Sequence, residues 1–204
     1  TFTSTIGATR GANTSTTGSL TISGVISGDS DLDLSNSTLG GGGGGVLTLS
    51  AQNTYGGNTT INSGTPDVAG TASIKLGIAS ALPSTSGVIV GTKAGIGAAR
   101  LDINGFHQQV AYLADGANAT VGNTKNLSIV NNGSQDATLT LGGATTPGNG
   151  FGGVIGTGSQ MINVVKTGAN TQTLTGANTY TGSTTIAEGT LALSGAGSIN
   201  ASPT

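Results

Sequence analysis

Residues 46–65 decide the architecture of this chain. They read VLTLSAQNTYGGNTTINSGT, and the phrase returns at residues 171–190 as TQTLTGANTYTGSTTIAEGT. The two copies run in step when Asn53 is paired with Asn178. Self-similarity of this kind is typical of repeat architectures, in which each unit is one supersecondary element that stacks on its neighbours.

The positions that the two copies share define a repeat signature. In the first copy the signature consists of Leu49, Asn53, Thr54, Tyr55, Gly57, Thr59, Thr60, Ile61 and Gly64. In the second copy it consists of Leu174, Asn178, Thr179, Tyr180, Gly182, Thr184, Thr185, Ile186 and Gly189.

Each copy has the chemistry of a strand, a turn, a second strand and a second turn. Leu47 and Leu49 alternate with Thr48, which places the leucines on one face of a strand. The segment 53–58 is rich in Asn and Gly, which favour turns, and the β-branched residues 59–61 suit a second strand. A unit of about twenty residues cannot bury its own apolar face, so we expect it to stack on a neighbouring unit.

The repeated pattern resembles the passenger-associated strand repeat of bacterial autotransporter proteins. Residues 24–28 (GVISG) and 153–156 (GVIG) resemble the rung that usually precedes this repeat, and residues 101–106 (LDINGF) resemble the rung that usually follows it. The resemblance implies a right-handed parallel β-helix that is secreted and displayed at the bacterial cell surface. It implies no particular activity.

Composition agrees with a β-solenoid. Only 7% of the 204 residues are charged and 3% are aromatic, with 38 glycines, four prolines and a net charge of −2. Disorder normally comes with high charge or much proline. We therefore predict one all-β solenoid domain over residues 1–204, with residues 1–13 as a first rung or a flexible arm. Rungs of roughly 20–25 residues would give about eight or nine rungs.

Several functional classes are disfavoured by the sequence. The chain has no cysteine, which excludes disulfides and thiolate metal sites. No run of eighteen apolar residues is present to span a membrane, and the six lysines and arginines are dispersed, which argues against nucleic acid as a partner. Because the chain begins at Thr1 and lacks an apolar leader, we expect a processed mature chain or a fragment.

The sharpest cluster of ionisable residues is Asp29, Asp31 and Asp33. On a strand, alternate residues lie on one face about 6.6 Å apart. Such carboxylates are suited to gathering a calcium ion or, as a pair, to serving an inverting glycosidase. Against catalysis, the region supplies no basic or aromatic groups to hold a sugar. A solvated face is the favoured interpretation, with metal binding as a weak candidate and no other cofactor expected.

Two other residue types invite functional interpretations. His107 is the single histidine and has no second histidine or cysteine as a partner, so we interpret it as a polar loop residue. Tyr55 and Tyr180 recur at equivalent turns, where they would serve as sugar-stacking platforms or, as we favour, as residues that stack between rungs.

The sequence leaves three functional hypotheses. The first is a non-enzymatic extracellular structural or adhesive protein at the bacterial cell surface, with cell-surface or glycan ligands. The second is a self-assembling subunit of an extracellular fibre or sheath, partnered with itself, because low charge leaves strand edges poorly protected against strand addition. The third and weakest is a polysaccharide-active β-helix enzyme that uses the aspartate cluster.

Overall fold

The chain folds as a stack of parallel β-strands. A computed structural model describes residues 18–35, 45–62, 71–91, 98–116, 127–148, 150–156 and 158–199, and within these ranges it contains strands, turns and bends but no helix. In chain order the strands are β1 (Gly18–Ile22), β2 (Leu32–Ser35), β3 (Gly45–Leu49), β4 (Thr59–Asn62), β5 (Thr71–Leu76), β6 (Val88–Val90), β7 (Ala98–Asp102), β8 (Gln108–Val110), β9 (Leu113–Asp115), β10 (Leu127–Val130), β11 (Ala137–Leu141), β12 (Val154–Ile155), β13 (Ile162–Lys166), β14 (Thr171–Leu174), β15 (Thr184–Ile186) and β16 (Thr190–Leu193).

The strands form three long sheets and one pair. Sheet 1 has the order β1-β3-β5-β7-β10-β12, sheet 2 the order β8-β11-β13-β15, and sheet 3 the order β2-β4-β6-β9, while β14 pairs with β16. Every pairing between these strands is parallel. Since each strand pairs with one from the next turn of the chain, the described residues form a parallel β-solenoid, as the sequence predicts.

The solenoid has three faces, which the chain visits in the order 1, 2, 3. Face 1 is sheet 1, continued by residues 177–180, where the Tyr180 N–H donates to the Ile155 carbonyl. Face 2 is sheet 2, preceded by residues 24–28, 52–55 and 79–82, which stack beneath it. Face 3 is sheet 3, continued by residues 150–152 and the β14–β16 pair through a parallel bridge from Phe151 to Leu174.

The core is a thin column of apolar side chains between the three faces. In β3, β7 and β11, alternate residues point inward, so that Leu47, Leu101 and Leu139 are buried. Parallel register places like residues above one another, as in the column of Leu47, Ile74 and Leu101. This arrangement gives each short rung a core that it shares with its neighbours.

The length of one turn departs from the sequence-based prediction. Gly18 pairs with Gly45 and Gly45 with Ala72, so a turn near the N-terminal end takes 27 residues. Val164 pairs with Thr184, so the turn shortens to 20 residues near the C-terminal end. The predicted turn of 20–25 residues fits the C-terminal end but is too short at the N-terminal end, because the first repeat copy of twenty residues ends at Thr65, before the chain returns to face 1 at Thr71.

Turns and bends separate the strands of one face from those of the next. β7 ends at Asp102 and a turn follows, with positive φ at Asn104 and Gly105. A bend at Ala111 separates β8 from β9. The proposed arm at residues 1–13 and the signature residue Gly64 lie outside the described residues. No helix of the described part is long and apolar enough to cross a membrane.

Candidate functional site: the repeat signature

The signature asparagine of the first copy joins three successive rungs. Asn53 is buried, and its Oδ1 accepts a hydrogen bond from the Ile26 N–H of the preceding rung at 2.7 Å. Its Nδ2 donates to the Ala81 carbonyl of the following rung at 2.7 Å and to the Ala51 carbonyl at 3.0 Å. One amide side chain thus satisfies backbone groups below and above it, which buried polar groups require.

The second copy repeats this arrangement with different rungs. The Asn178 Oδ1 accepts from the Ile155 N–H at 2.9 Å, and its Nδ2 donates to the Ser198 carbonyl at 2.7 Å. Ile26 and Ile155 are the isoleucines of the two phrases 24–28 and 153–156. Each phrase therefore lies directly beneath the asparagine of its repeat. We call each set of bonds through Asn53 or Asn178 the asparagine clamp.

The signature tyrosines belong to the core. Tyr55 is 2% exposed and Tyr180 is 1% exposed. The Tyr55 hydroxyl shares a 2.5 Å hydrogen bond with the Thr59 hydroxyl, and Tyr180 shares one of 2.7 Å with Thr184. Burial raises the pKa of Tyr55 to about 12, and burial also raises the pKa of Tyr180. Rings this deeply buried cannot serve as sugar-stacking platforms.

The signature glycines lie where two rungs come closest. A Cβ on Gly57 would overlap the backbone of Ser30 and Asp31 in the preceding rung, and one on Gly182 would overlap the carbonyl of Ile162. Gly189 adopts a φ of +72°, which side-chain-bearing residues rarely take. The recurrence of glycine in the signature therefore reflects close backbone approach and turn geometry.

The remaining signature residues differ between the copies in their burial. Thr59, Ile61 and Leu49 of the first copy are buried, as is Leu174 of the second. Ile186, the counterpart of the fully buried Ile61, is 55% exposed. The difference arises because β4 lies between β2 and β6, whereas β15 is the last strand of sheet 2.

The two copies sit on different faces of the solenoid. The first copy starts on face 1 with β3 and ends on face 3 with β4. The second copy starts on face 3 with β14 and ends on face 2 with β15, so it is turned by one face relative to the first. The signature therefore encodes a local strand–turn–strand shape and its clamp, not a fixed position around the axis.

Two of the three aspartates predicted as a weak metal site join adjacent rungs. Only Asp33 lies in a strand, since β2 begins at Leu32. The Asp31 Oδ1 accepts from the Asn58 N–H at 2.6 Å, and the Asp33 Oδ1 accepts from the Asn62 Nδ2 at 2.7 Å. Among the described residues, which include Asp29, no group of three or more His, Asp or Glu side chains is placed to hold a metal ion.

His107 has a backbone partner in the next rung. It is exposed, and its Nδ1 accepts from the Thr138 N–H at 3.0 Å. This bond fixes the ring as a polar residue of the turn after Phe106 and assigns it the same task as the asparagines, which is to join adjacent rungs.

Two buried glutamines perform a role that the sequence analysis missed. The Gln108 Oε1 accepts from the Leu82 N–H at 3.0 Å while its Nε2 donates to the Leu82 carbonyl at 2.9 Å. Gln172 makes the same paired contact with the Leu113 N–H and carbonyl, both at 2.9 Å. Each side-chain amide thus makes the two hydrogen bonds that a neighbouring strand would otherwise make to that residue. The sequence carries a signal for this role. Gln108 lies two residues before Val110, and Gln172 lies two residues before Leu174, so each glutamine shares the inward face of its strand with an apolar residue.

Lys166 is a second missed residue on the inward face. It is fully buried, in register between Leu141 and Ile186. Its Nζ donates to the carbonyls of Thr167 at 2.5 Å and Gly168 at 2.7 Å. Burial lowers the pKa of Lys166, while the nearby charge of Glu188 acts in the opposite direction. The ammonium is therefore held by turn carbonyls at the C-terminal end of the core.

Asp115 marks the point where face 3 passes from sheet 3 to residues 150–152. The Gly152 N–H donates to both carboxylate oxygens at 2.9 Å, and the Asp115 N–H donates to the Gly150 carbonyl at 3.0 Å. Burial raises the pKa of Asp115, and the backbone donors of Gly152 and Gly153 partly oppose that shift.

Comparison with known families matches the two repeat copies. The model of the passenger-associated-transport-repeat matches residues 42–65 and 164–193. Each matched segment contains the asparagine of one clamp, a buried tyrosine, and a glycine that lies close to the backbone of the preceding rung. Neither the curated proteins nor the solved structures include one that matches the chain.

Proposed function

We propose that this chain, a parallel β-solenoid carrying two passenger-associated transport repeats, is a non-enzymatic length of a structural rod. The family match and the fold support a passenger-type protein of the bacterial autotransporter kind. Such a passenger would be secreted and located at the bacterial cell surface. The rod would serve to hold attached segments away from that surface.

The observation that carries this proposal is the use of the buried polar side chains. Asn53, Asn178, Gln108 and Gln172 each direct both ends of the amide to backbone groups of neighbouring rungs. Polar groups that are satisfied in this way strengthen the stack along its axis and leave no reactive atom for a ligand. The chemistry of the signature is therefore cohesion between rungs.

The placement of the ionisable residues supports a non-enzymatic role. Asp31, Asp33 and His107 each accept a hydrogen bond from the next rung. Within the described residues, no three histidine or acidic side chains gather at one point. The hydrogen bonds of these three side chains join rungs, which is the role expected of side chains in a structural rod.

The proposal is tested by displaying the full chain on a bacterial cell. An outer-membrane anchor is fused to its C-terminal end and an epitope to its N-terminal end. We expect the epitope to resist limited proteolysis, and to lose that resistance when both clamps are removed by Asn53→Leu with Asn178→Leu. Gln52→Leu is the matched control, because the exposed Gln52 makes one long contact of 3.4 Å to the Ala79 carbonyl.

Two outcomes would overturn the proposal. A double variant whose epitope survives protease as well as the wild type would show that the clamps do not hold the rod together. Saturable binding of the purified chain to glycans or cells, or release of sugars from a polysaccharide, would assign the adhesive or the enzymatic function instead.

A further inference from the structure

The outward side of face 1 carries a short polar column in the middle of the sheet. Arg100 points outward because Leu101, the next residue of β7, points into the core. The column that contains Arg100 is in register across β3, β5, β7, β10 and β12 and consists of Val46, Ser73, Arg100, Ser128 and Val154. Since neighbouring strands lie about 4.8 Å apart, a serine flanks the arginine on each side and a valine bounds the polar part at each end.

Lys75 adds a second positive charge beside this column. It lies on β5 two residues after Ser73, about 6.6 Å along the same side of the strand. Lys75 and Arg100 are both half-buried, and among the described residues neither side chain forms an ion pair. Two cations therefore share one side of the sheet without neutralising each other's charge.

The acid that is in register with Lys75 is engaged elsewhere. Asp102 follows Arg100 on the same side of β7 and pairs with Lys75. Its carboxylate accepts from the N–H groups of Asn104 and Asn132 at 2.9 and 3.0 Å, and from the Asn132 Nδ2 at 3.1 Å. Both carboxylate oxygens are thus occupied by the turns that follow β7 and β10.

The Arg100 guanidinium contains a donor without an acceptor. Its Nε is buried and has no hydrogen-bond partner in the structure. Buried polar groups almost always have a partner, so this donor requires an explanation. The Nε and Nη groups of arginine form a planar fork that binds two oxygens of an oxyanion at once. An oxyanion on the outward side of the sheet would therefore satisfy the orphaned donor.

We infer that the outward side of face 1 binds a tetrahedral oxyanion, sulfate or phosphate, between β5, β7 and β10. The Arg100 fork would hold two of its oxygens. The hydroxyls of Ser73 and Ser128 would donate to the others, and Lys75 would add positive charge. An ion with four oxygens can satisfy more of these donors than a carboxylate can with two. The ion would join three successive rungs from outside, and this inference goes beyond the proposed rod by giving it a ligand.

The test is isothermal titration calorimetry of the full chain with sodium sulfate and with sodium phosphate, each compared with sodium chloride at equal ionic strength. Wild type should bind the oxyanions saturably, and Arg100→Gln should weaken binding by about tenfold or more, because it removes charge-assisted hydrogen bonds. Arg100→Lys keeps the charge but lacks the fork, so its affinity should fall between the two.

The matched control is Thr140→Glu on the outward side of face 2. It lowers the net charge by the same amount as Arg100→Gln and should bind sulfate like the wild type. Circular dichroism verifies that every variant is folded. Equal binding by wild type and Arg100→Gln would overturn the inference, as would equal heats for sulfate and chloride.

Hydrogen exchange gives a second readout. Sulfate should slow amide exchange in β5, β7 and β10 of the wild type but not of Arg100→Gln, because a ligand that binds only the folded stack suppresses its opening. Unchanged exchange in these three strands at saturating sulfate would contradict a site between them.

Dextran sulfate, with uncharged dextran as its control, distinguishes a free ion from a sulfate group on a polymer. A site for the free ion should bind dextran sulfate no more tightly per sulfate group than it binds free sulfate. Tighter binding that Arg100→Gln abolishes would support the same site and assign the chain the adhesive function. The protease test of the displayed rod is independent of all these measurements, so the two proposals can fail separately.

Discussion

The asparagine clamp makes a quantitative prediction for Asn53→Leu. Leucine has a similar size and is apolar, so the substitution removes hydrogen bonds without opening a large cavity. The Ile26 N–H loses its partner at 2.7 Å, whereas the Ala81 carbonyl keeps a bond from the Asn53 N–H at 3.2 Å. Leaving the half-buried Ile26 N–H without a partner costs about 1–3 kcal/mol, and the lost bond from the Asn53 Nδ2 to the Ala81 carbonyl adds about 1 kcal/mol.

We therefore expect Asn53→Leu to lower the free energy of unfolding by about 3 kcal/mol in urea titrations followed by circular dichroism. The change should be local, so the Ile26 amide should also exchange with deuterium faster than in the wild type. Gln52→Leu, at the neighbouring exposed position, should change the free energy by no more than about 0.5 kcal/mol.

The reasoning fails if Asn53→Leu and Gln52→Leu destabilise the protein equally. It also fails if the Ile26 amide retains its wild-type protection in Asn53→Leu, because the clamp assigns that protection to the Asn53 side chain.

Three further predictions follow from the site. Gly57→Ala should destabilise the fold by about 1–3 kcal/mol in the same titration, because the added Cβ would overlap Asp31. Gly56→Ala should be tolerated, because its added Cβ has a nearest contact of 3.5 Å. Equal effects of the two substitutions would refute the close approach at Gly57. Since the pKa of Tyr55 rises from 10.0 to about 12 on folding, the folded state holds its proton longer, so stability should fall by up to about 3 kcal/mol between pH 10 and pH 12, and Tyr55→Phe should remove that part of the slope. Because burial raises the pKa of Asp115 above 3.8, the folded state binds a proton at this carboxyl more readily than the unfolded state does. Asp115 should therefore add stability as the pH falls through its raised pKa. A profile of Tm against pH that has the same shape in Asp115→Asn as in the wild type would contradict this prediction.

The sequence predicted the fold class because its signals are local. Alternation around Leu47 and Leu49 and the paired copies of the signature were enough for stacked β-rungs, and the parallel arrangement was implied by the family resemblance. The sense of the helix stays a prediction from the family resemblance. Turn length was not predictable in the same way, because the first repeat copy ends before the chain returns to face 1 at Thr71, and the signature does not record where that return occurs.

The site was predicted by position but not by role. The signature placed Asn53 and Tyr55 at a turn, yet only the stacked neighbours show that Asn53 bonds to Ile26 and that Tyr55 enters the core. Those neighbours lie 27 and 28 residues away, beyond the range of local pattern. Gln108 was not predicted as a core residue because its partner, Leu82, lies 26 residues away in the chain.

The one-face turn between the two copies has a consequence for how such a rod is decorated. A segment inserted at the same position of each repeat would project from a different face of the solenoid, because β4 belongs to face 3 and β15 to face 2. Adding or deleting a single strand–turn unit would therefore rotate everything beyond it without breaking the stack. The number of strand–turn units between two repeats would then determine the face of the solenoid from which an inserted segment projects.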